Sequence, residues 1–185
     1  MRAAMTVPFA GSPAGDILIS RITDQESLEE LARNACCLGI RQAATEKLTD
    51  QALLFELCYD NEWKICNIAS KTLADQSLLI DIYNDKNNSQ DVRRNAVKNI
   101  KIQSVLADII KNENDEAVRY TAIETLTDQA ALSEVARHDY NKNGRICAIK
   151  KLTDKSVLEE ILNDRSVSLD ESAAACGRLH DINKK

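Results

Sequence analysis

The feature that most constrains this chain is repetition. Degenerate copies of one segment, clearest as Val118-Arg119-Tyr120-Thr121-Ala122-Ile123-Glu124-Thr125-Leu126-Thr127-Asp128-Gln129, recur along almost the whole sequence. Aligned on the Asp-Gln step, the copies fall at Asp24, Asp50, Asp75, Ile102, Asp128, Asp154 and Asp181, at intervals of 26, 25, 27, 26, 26 and 27 residues. A period of about 20–50 residues marks a supersecondary unit that cannot bury its apolar face alone and stacks on its neighbours. Architecture therefore follows from the sequence more readily than function does.

Each unit reads as two short helices. Helix A starts at the Asp-Gln step, where the Asp or the Thr before it (Thr23, Thr49, Thr127, Thr153) suits an N-cap and a carboxylate suits the helix dipole. Four residues on stand Leu28, Leu54, Leu79, Leu106, Leu132 and Leu158, and three further on Leu31, Leu57, Ile82, Ile109, Val135 and Ile161. Spacings of three and four place these on one stripe. Loops rich in Asn, Asp and Lys follow. Helix B carries an unbroken column of alanines, Ala44, Ala69, Ala96, Ala122, Ala148 and Ala175, with Leu48, Leu73, Ile100, Leu126, Leu152 and Leu179 four residues later. Ile40, Ile65, Val92 and Val118 lead it, and Gly144 and Glu171 take that place in the last two units. A small side chain at the centre lets neighbouring helices approach to the short end of the usual spacing of about 8–10 Å.

Composition agrees with a helical body. Aromatics make up 4% of the 185 residues, and both of the two prolines fall within the first 15. Residues 1–15 are expected to form an extended arm or to be a remnant of recombinant expression, because Pro8, Gly11 and Pro13 break the apolar run that a signal peptide needs. Residues 16–185 are expected to form a single repeat domain whose first helical element is Asp16 to Ile22, with Ile17, Leu18 and Ile22 as its apolar side. Toward the C-terminus, either the polar stretch His180 to Lys185 blunts the array or the array is truncated. No apolar run approaches the roughly 18 residues of a membrane span.

With these columns laid out, the chain resembles HEAT-like α-solenoids with short repeats, the leucine-rich-variant and phycobilin-lyase types. Val92-Arg93-Arg94-Asn95-Ala96-Val97 and Val118-Arg119-Tyr120-Thr121-Ala122-Ile123 look like the Val-Arg-x-x-Ala-Val/Ile core of such repeats, and the likeness runs from about Thr23 to Leu179. It implies an all-α, right-handed α-solenoid of about six two-helix repeats with a period of roughly 26 residues, helix B lining the concave side. The column Arg41, Arg93, Arg119 and Arg145 matches that family's Arg ladder, which implies pairing with acidic loop groups; Cys66 and Ser172 interrupt it. The period is shorter than that of long HEAT units, so the partners of those proteins do not carry over. The iron–sulfur module associated with leucine-rich-variant proteins finds no clustered cysteine run here.

The six cysteines, Cys36, Cys37, Cys58, Cys66, Cys147 and Cys176, show no Cys-x-x-Cys spacing. They are expected to be reduced core thiols of a cytoplasmic protein, with a disulfide or metal centre among Cys36, Cys37, Cys58 and Cys66 as the alternative. No cofactor or metal is expected. His138 and His180 lack partners of catalytic spacing, and no phosphate loop or paired acids stand out. An enzymatic reading, as a lyase or glycosylase, has fold analogy alone behind it.

Charge is segregated although the chain carries −5 overall. Ten-residue windows from the leading helix-B position hold 12 basic and 3 acidic residues, whereas the helix-A windows hold 4 and 17. Beyond the ladder, the basic surplus rests on Arg94, Lys98, Lys101, Lys150 and Lys151. Tyr120 and Ile146 share one outward helix-B register, as Phe55 and Ile80 do on helix A. Trp63, at the mouth of helix B, is expected to cap the edge of the core, with anchoring of a partner as the alternative. The expected function is a non-enzymatic scaffold that binds a protein or peptide through Tyr120 and Ile146 with Arg94, Lys98 and Lys150 around them. The alternative is a nucleic-acid or polyanion binder that uses Arg94, Lys98, Lys101, Lys150 and Lys151.

Overall fold

A computed structural model describes Ile19 and residues 21–184. The expected arm over 1–15 and the apolar positions Ile17 and Leu18 lie outside the described residues. Among the described residues the chain is all-helical, with twelve helices and no strand. They are α1 (Gln25–Asn34), α2 (Leu38–Glu46), α3 (Gln51–Leu57), α4 (Trp63–Thr72), α5 (Gln76–Asn84), α6 (Gln90–Asn99), α7 (Gln103–Asn112), α8 (Glu116–Thr125), α9 (Gln129–His138), α10 (Lys142–Lys151), α11 (Lys155–Asn163) and α12 (Leu169–Asn183). Odd-numbered helices correspond to helix A and even-numbered ones to helix B.

The chain divides into two compact units, one up to Asn99 and one from Ile100. In the first, α1/α2, α3/α4 and α5/α6 are hairpins, and α4 contacts both α2 and α6. In the second, the hairpins are α7/α8, α9/α10 and α11/α12, and α10 contacts both α8 and α12. The alanine column explains these helix-B contacts: all six alanines are fully buried, and so are the six leucines of the helix-A column. Leu48, Leu73, Ile100, Leu126 and Leu152 are buried beside them, while Leu179 in the last helix is half-buried.

Five of the six A helices start at an aspartate cap, and α7 starts at Ile102 without one. The carboxylates of Asp24, Asp50, Asp75, Asp128 and Asp154 each accept a backbone N–H from the first turn, so the Asp and not the preceding Thr is the cap. Hydrogen bonds from Ser27, Ser77 and Ser156 hold the Asp24, Asp75 and Asp154 carboxyls below the usual carboxylate range. Helix B starts two residues before its leading aliphatic position, earlier than the sequence windows assume. In three of the six a local cap sits at that start: Asp115 accepts from the N–H groups of Ala117 and Val118, Asn141 from those of Asn143 and Gly144, and Ser168 with Glu171 forms a capping box.

The two exceptions in the leading column have physical causes. A Cβ on Gly144 would lie 3.1 Å from the Asp139 carboxylate, which is buried against Arg119. Glycine leaves that carboxylate its space. Glu171 instead takes the leading slot as a buried acid, 2.5 Å from Arg145 Nε and bonded to the Ser168 N–H at 3.0 Å.

The glutamine of the Asp-Gln step has a role the sequence did not disclose. Gln129 Oε1 accepts from the N–H and hydroxyl of Thr153 at 2.8 and 2.9 Å, and its amide donates to Thr127 O at 3.2 Å. Gln25 binds Thr49 in the same way, Gln51 binds the N–H groups of Ala74 and Asp75, and Gln103 those of Thr127 and Asp128. Each glutamine thus clasps the B-to-A turn of the following repeat, and satisfies turn donors that helix geometry leaves open. A second set of clasps lies three residues after the alanine. Lys47 Nζ donates to Ile19 O and Ile22 O, Asn99 Nδ2 to Lys71 O and Leu73 O, Lys151 Nζ to Ile123 O and Glu124 O, and Arg178 Nε to Leu152 O. Cations and an amide here neutralise the carbonyl end of the preceding helix.

Connections are correspondingly unequal. B-to-A turns are three residues long, four after α2, whereas A-to-B loops are three residues after α1, α7 and α9 and five after α3, α5 and α11.

Candidate functional site

In the second unit, Tyr120 on α8 is 38% exposed and Ile146 on α10 is half-buried. The Tyr120 phenol hydrogen-bonds with Cys147, and burial pushes both groups' pKa values up. Lys150 is exposed on α10, one turn beyond Ile146, and Glu124 is exposed on α8, one turn beyond Tyr120. Lys151 is not part of this free surface. Its ammonium is spent on the carbonyls of Ile123 and Glu124, and burial lowers its pKa.

In the first unit, Arg94 and Lys98 are exposed on α6, with Arg94 3.6 Å from Asp91. The positions on α2 and α4 that match Arg94 carry Gln42 and Asn67, and Asn67 Oδ1 accepts from Asn95 Nδ2 at 2.6 Å. The even-numbered helices with their observed bounds contain 12 Lys and Arg and 7 Asp and Glu, because their first turns bring in Asp91, Glu116 and Asp170 and the length of α12 adds Asp181. The basic surplus is smaller than the sequence windows suggest.

The ladder arginines are bound into the fold. Arg41 pairs with Asp60 and donates to Ala32 O at 2.9 Å, and Arg93 donates to Tyr83 O at 3.1 Å. Arg119 pairs with Asp139, both almost fully buried, and its guanidinium lies 4.1 Å from the Tyr140 ring centre. Arg145 reaches Glu171 and Asp139 O. Where Cys66 interrupts the ladder, its thiol donates to Asp60 O at 2.8 Å.

Two clefts open where A-to-B loops are five residues long. One, of about 390 Å³ in the second unit, is lined by Arg137, His138, Arg145, Glu160, Ser166 and Glu171 among others. Four of its charged groups are paired, Arg137 with Glu160 and Arg145 with Glu171, both at 2.5 Å, and the Asp164 carboxylate accepts from Ser166. The other, of about 510 Å³ in the first unit, lies between the loops that follow α3 and α5. Tyr59, Trp63, Asn61, Asn87, Asn88 and Asp91 face it, with Cys58 and Cys66 behind. Tyr59 is 48% exposed and Trp63 67% exposed, so Trp63 does not cap the core as expected. Phe55 braces Tyr59 edge to face at 5.6 Å, and the phenol reaches Asn88 and Asp85. Sequence periodicity missed this cleft because most of its polar and aromatic residues, Tyr59, Asn61, Trp63, Asn87, Asn88 and Asp91 among them, sit in loops and first turns, outside the repeating columns.

All six cysteines are free thiols, and only Cys58 is buried. The expectation of core thiols therefore holds for Cys58 alone. The others sit in loops or on partly exposed faces of even-numbered helices. Burial pushes the Cys58 thiol up to about 12 and also raises Cys66. Among the described residues no group of three or more His, Cys, Asp or Glu side chains could hold a metal ion, and no helix is long and apolar enough to cross a membrane.

In comparisons with known proteins, no family model and no curated protein matches the chain.

Proposed function

We propose that this chain is a non-enzymatic repeat scaffold, a right-handed HEAT-like α-solenoid of about six two-helix units, that binds a protein or peptide through its helix-B face in the cytoplasm. The observation that carries the binding reading is the pair Tyr120 and Ile146, an aromatic and an aliphatic side chain in one register on adjacent helices, with Lys150 and Glu124 one turn away. An apolar centre with a charged rim divides affinity from on-rate. In the first unit, Arg94 and Lys98 are exposed basic residues on helix B. The resemblance to HEAT-like repeats is supported by the fully buried alanine column and by arginines paired with loop acids. Burial raises the Cys58, Cys66 and Cys147 thiols, which argues against these three as nucleophiles, since a nucleophilic thiol needs the opposite shift. Free thiols fit a reducing compartment.

The polyanion reading loses ground from Lys151 and Lys47, whose ammonium groups are turned to helix carbonyls. The deciding experiment is affinity capture from the native cell with and without nuclease, with Tyr120→Ser/Ile146→Ser and Lys98→Glu/Lys150→Glu variants alongside. The scaffold reading expects the apolar double variant to lose the partner through faster dissociation, and the charge-reversed variant to associate more slowly. Capture abolished by nuclease, or untouched in the Tyr120/Ile146 variant, refutes it.

A further inference from the structure

The cleft of the first unit calls for a ligand of particular chemistry, independently of the helix-B face. Its volume of about 510 Å³ falls within the range of about 300–1,000 Å³ typical of ligand sites. Its walls combine two exposed aromatic rings with side-chain amides and carboxylates, and no Lys, Arg or His lines it. The Tyr59 side of the aromatic wall is pre-set, since Phe55 and the Asn88 and Asp85 groups fix that ring. A wall that needs no ordering on binding keeps the entropy cost low.

The carboxylates differ in availability. Asp60 is held by Arg41 and largely shielded, whereas the Asp91 side chain is 71% exposed and meets Arg94 only at 3.6 Å. Glu62, beside Trp63, is exposed and makes no cap bond to its own helix. Negative charge at the mouth together with aromatic faces is the setting in which an ammonium or guanidinium group gains both Coulomb and cation–π attraction. The Trp63 ring already takes one cation within the chain: Lys64 Nζ lies 5.8 Å from its centre. Asn61 and Asn87 each present a donor and an acceptor, the complement of a peptide group.

We propose that the cleft framed by Tyr59, Trp63 and Asp91 is a docking site for an extended basic peptide segment. A lysine or arginine side chain lies along the aromatic faces toward Asp91, and Asn61 and Asn87 bind the adjoining main chain. This goes beyond the helix-B reading and stands or falls without it.

Trp63 is the single tryptophan of the sequence, so its fluorescence reports occupancy directly. The full chain is titrated with a blocked Gly-Arg-Gly-Arg-Gly peptide, with the peptide carrying Glu in place of Arg, and with maltotriose. The basic peptide is expected to give a saturable change that weakens as salt rises; the other two give none. Asp91→Lys lowers affinity roughly tenfold or more and Asp91→Asn by less, since a lysine repels the basic peptide where a neutral asparagine only fails to attract it. Asn87→Ala weakens binding severalfold. Circular dichroism confirms that each variant is folded, and Tyr120→Ser/Ile146→Ser leaves the response as it was. No saturable response to the basic peptide, an equal response to the acidic one, a response to the sugar alone, or an unaltered affinity in Asp91→Lys overturns the proposal.

Discussion

Replacing Glu171 by glutamine tests whether a buried ion pair, and not only apolar packing, holds the last hairpin of the second unit. Glu171 is almost fully buried, accepts from Arg145 Nε at 2.5 Å, and is bonded to both the N–H and the hydroxyl of Ser168. Burial alone would raise its pKa, but the hydrogen bonds from Arg145 and Ser168 outweigh it and bring the carboxyl from 4.5 down to about 2. A folded-state pKa below the unfolded one means stability that is present above about pH 4.5 and is lost as pH falls toward 2. At about 1.4 kcal/mol per unit, the ionised form contributes about 3 kcal/mol at pH 7 and roughly half of that at pH 3. Glu171→Gln should therefore cost about 3 kcal/mol at neutral pH, within the range found when one partner of a buried pair is removed. Urea unfolding followed by circular dichroism between pH 7 and pH 3 gives the difference between the two proteins at each pH. A penalty that stays the same across that range would show that charge at this site contributes nothing, and would refute the argument.

Ala122→Leu should overpack the seam where α8 meets α10 and cost about 1–3 kcal/mol, whereas Glu124→Gln on the exposed side should stay within about 0.5 kcal/mol; equal urea midpoints would dismiss the alanine seam. Gln129→Ala removes the clasp on Thr153 and should cost about 1 kcal/mol, with faster hydrogen exchange at the Thr153 amide as the local signature. Gly144→Ala should destabilise by about 1 kcal/mol or more, read as a lowered melting temperature, because its Cβ would press on the Asp139 carboxylate. Under native conditions iodoacetamide should label Cys36 and Cys176 first and Cys58 last, since Cys58 is buried and its thiol is pushed up to about 12; mass spectrometry of timed samples reads the order.

The helical pairs were legible in the sequence because their determinants are periodic. Six alanines and six leucines in register can be read from spacing alone, and each proves fully buried. Features that depend on partners from another repeat were not legible. Gln25, Gln51, Gln103 and Gln129 show as a column, but a column cannot disclose that each amide reaches a turn some 24 residues on. Lys151 counts as surface charge in any composition window, and only the geometry shows its ammonium on two carbonyls. Trp63 misled for a related reason. A place at the mouth of helix B suggested that it caps the edge of the core, yet as the first residue of α4 it is 67% exposed.

The unequal connections give the two edges of these hairpins different freedoms over evolutionary time. Along the B-to-A edge the glutamine clasp keeps count: its partners sit within a turn of three or four residues, so a residue inserted in that turn would carry them out of its reach. Along the A-to-B edge nothing comparable keeps count, and loops of three and five residues coexist with an undisturbed alanine seam. Both clefts open at the longer loops. Such a chain can vary what it recognises along one margin without renegotiating how it folds along the other, much as a bound volume can have its pages trimmed at the fore-edge while the stitching at the spine stays as it is.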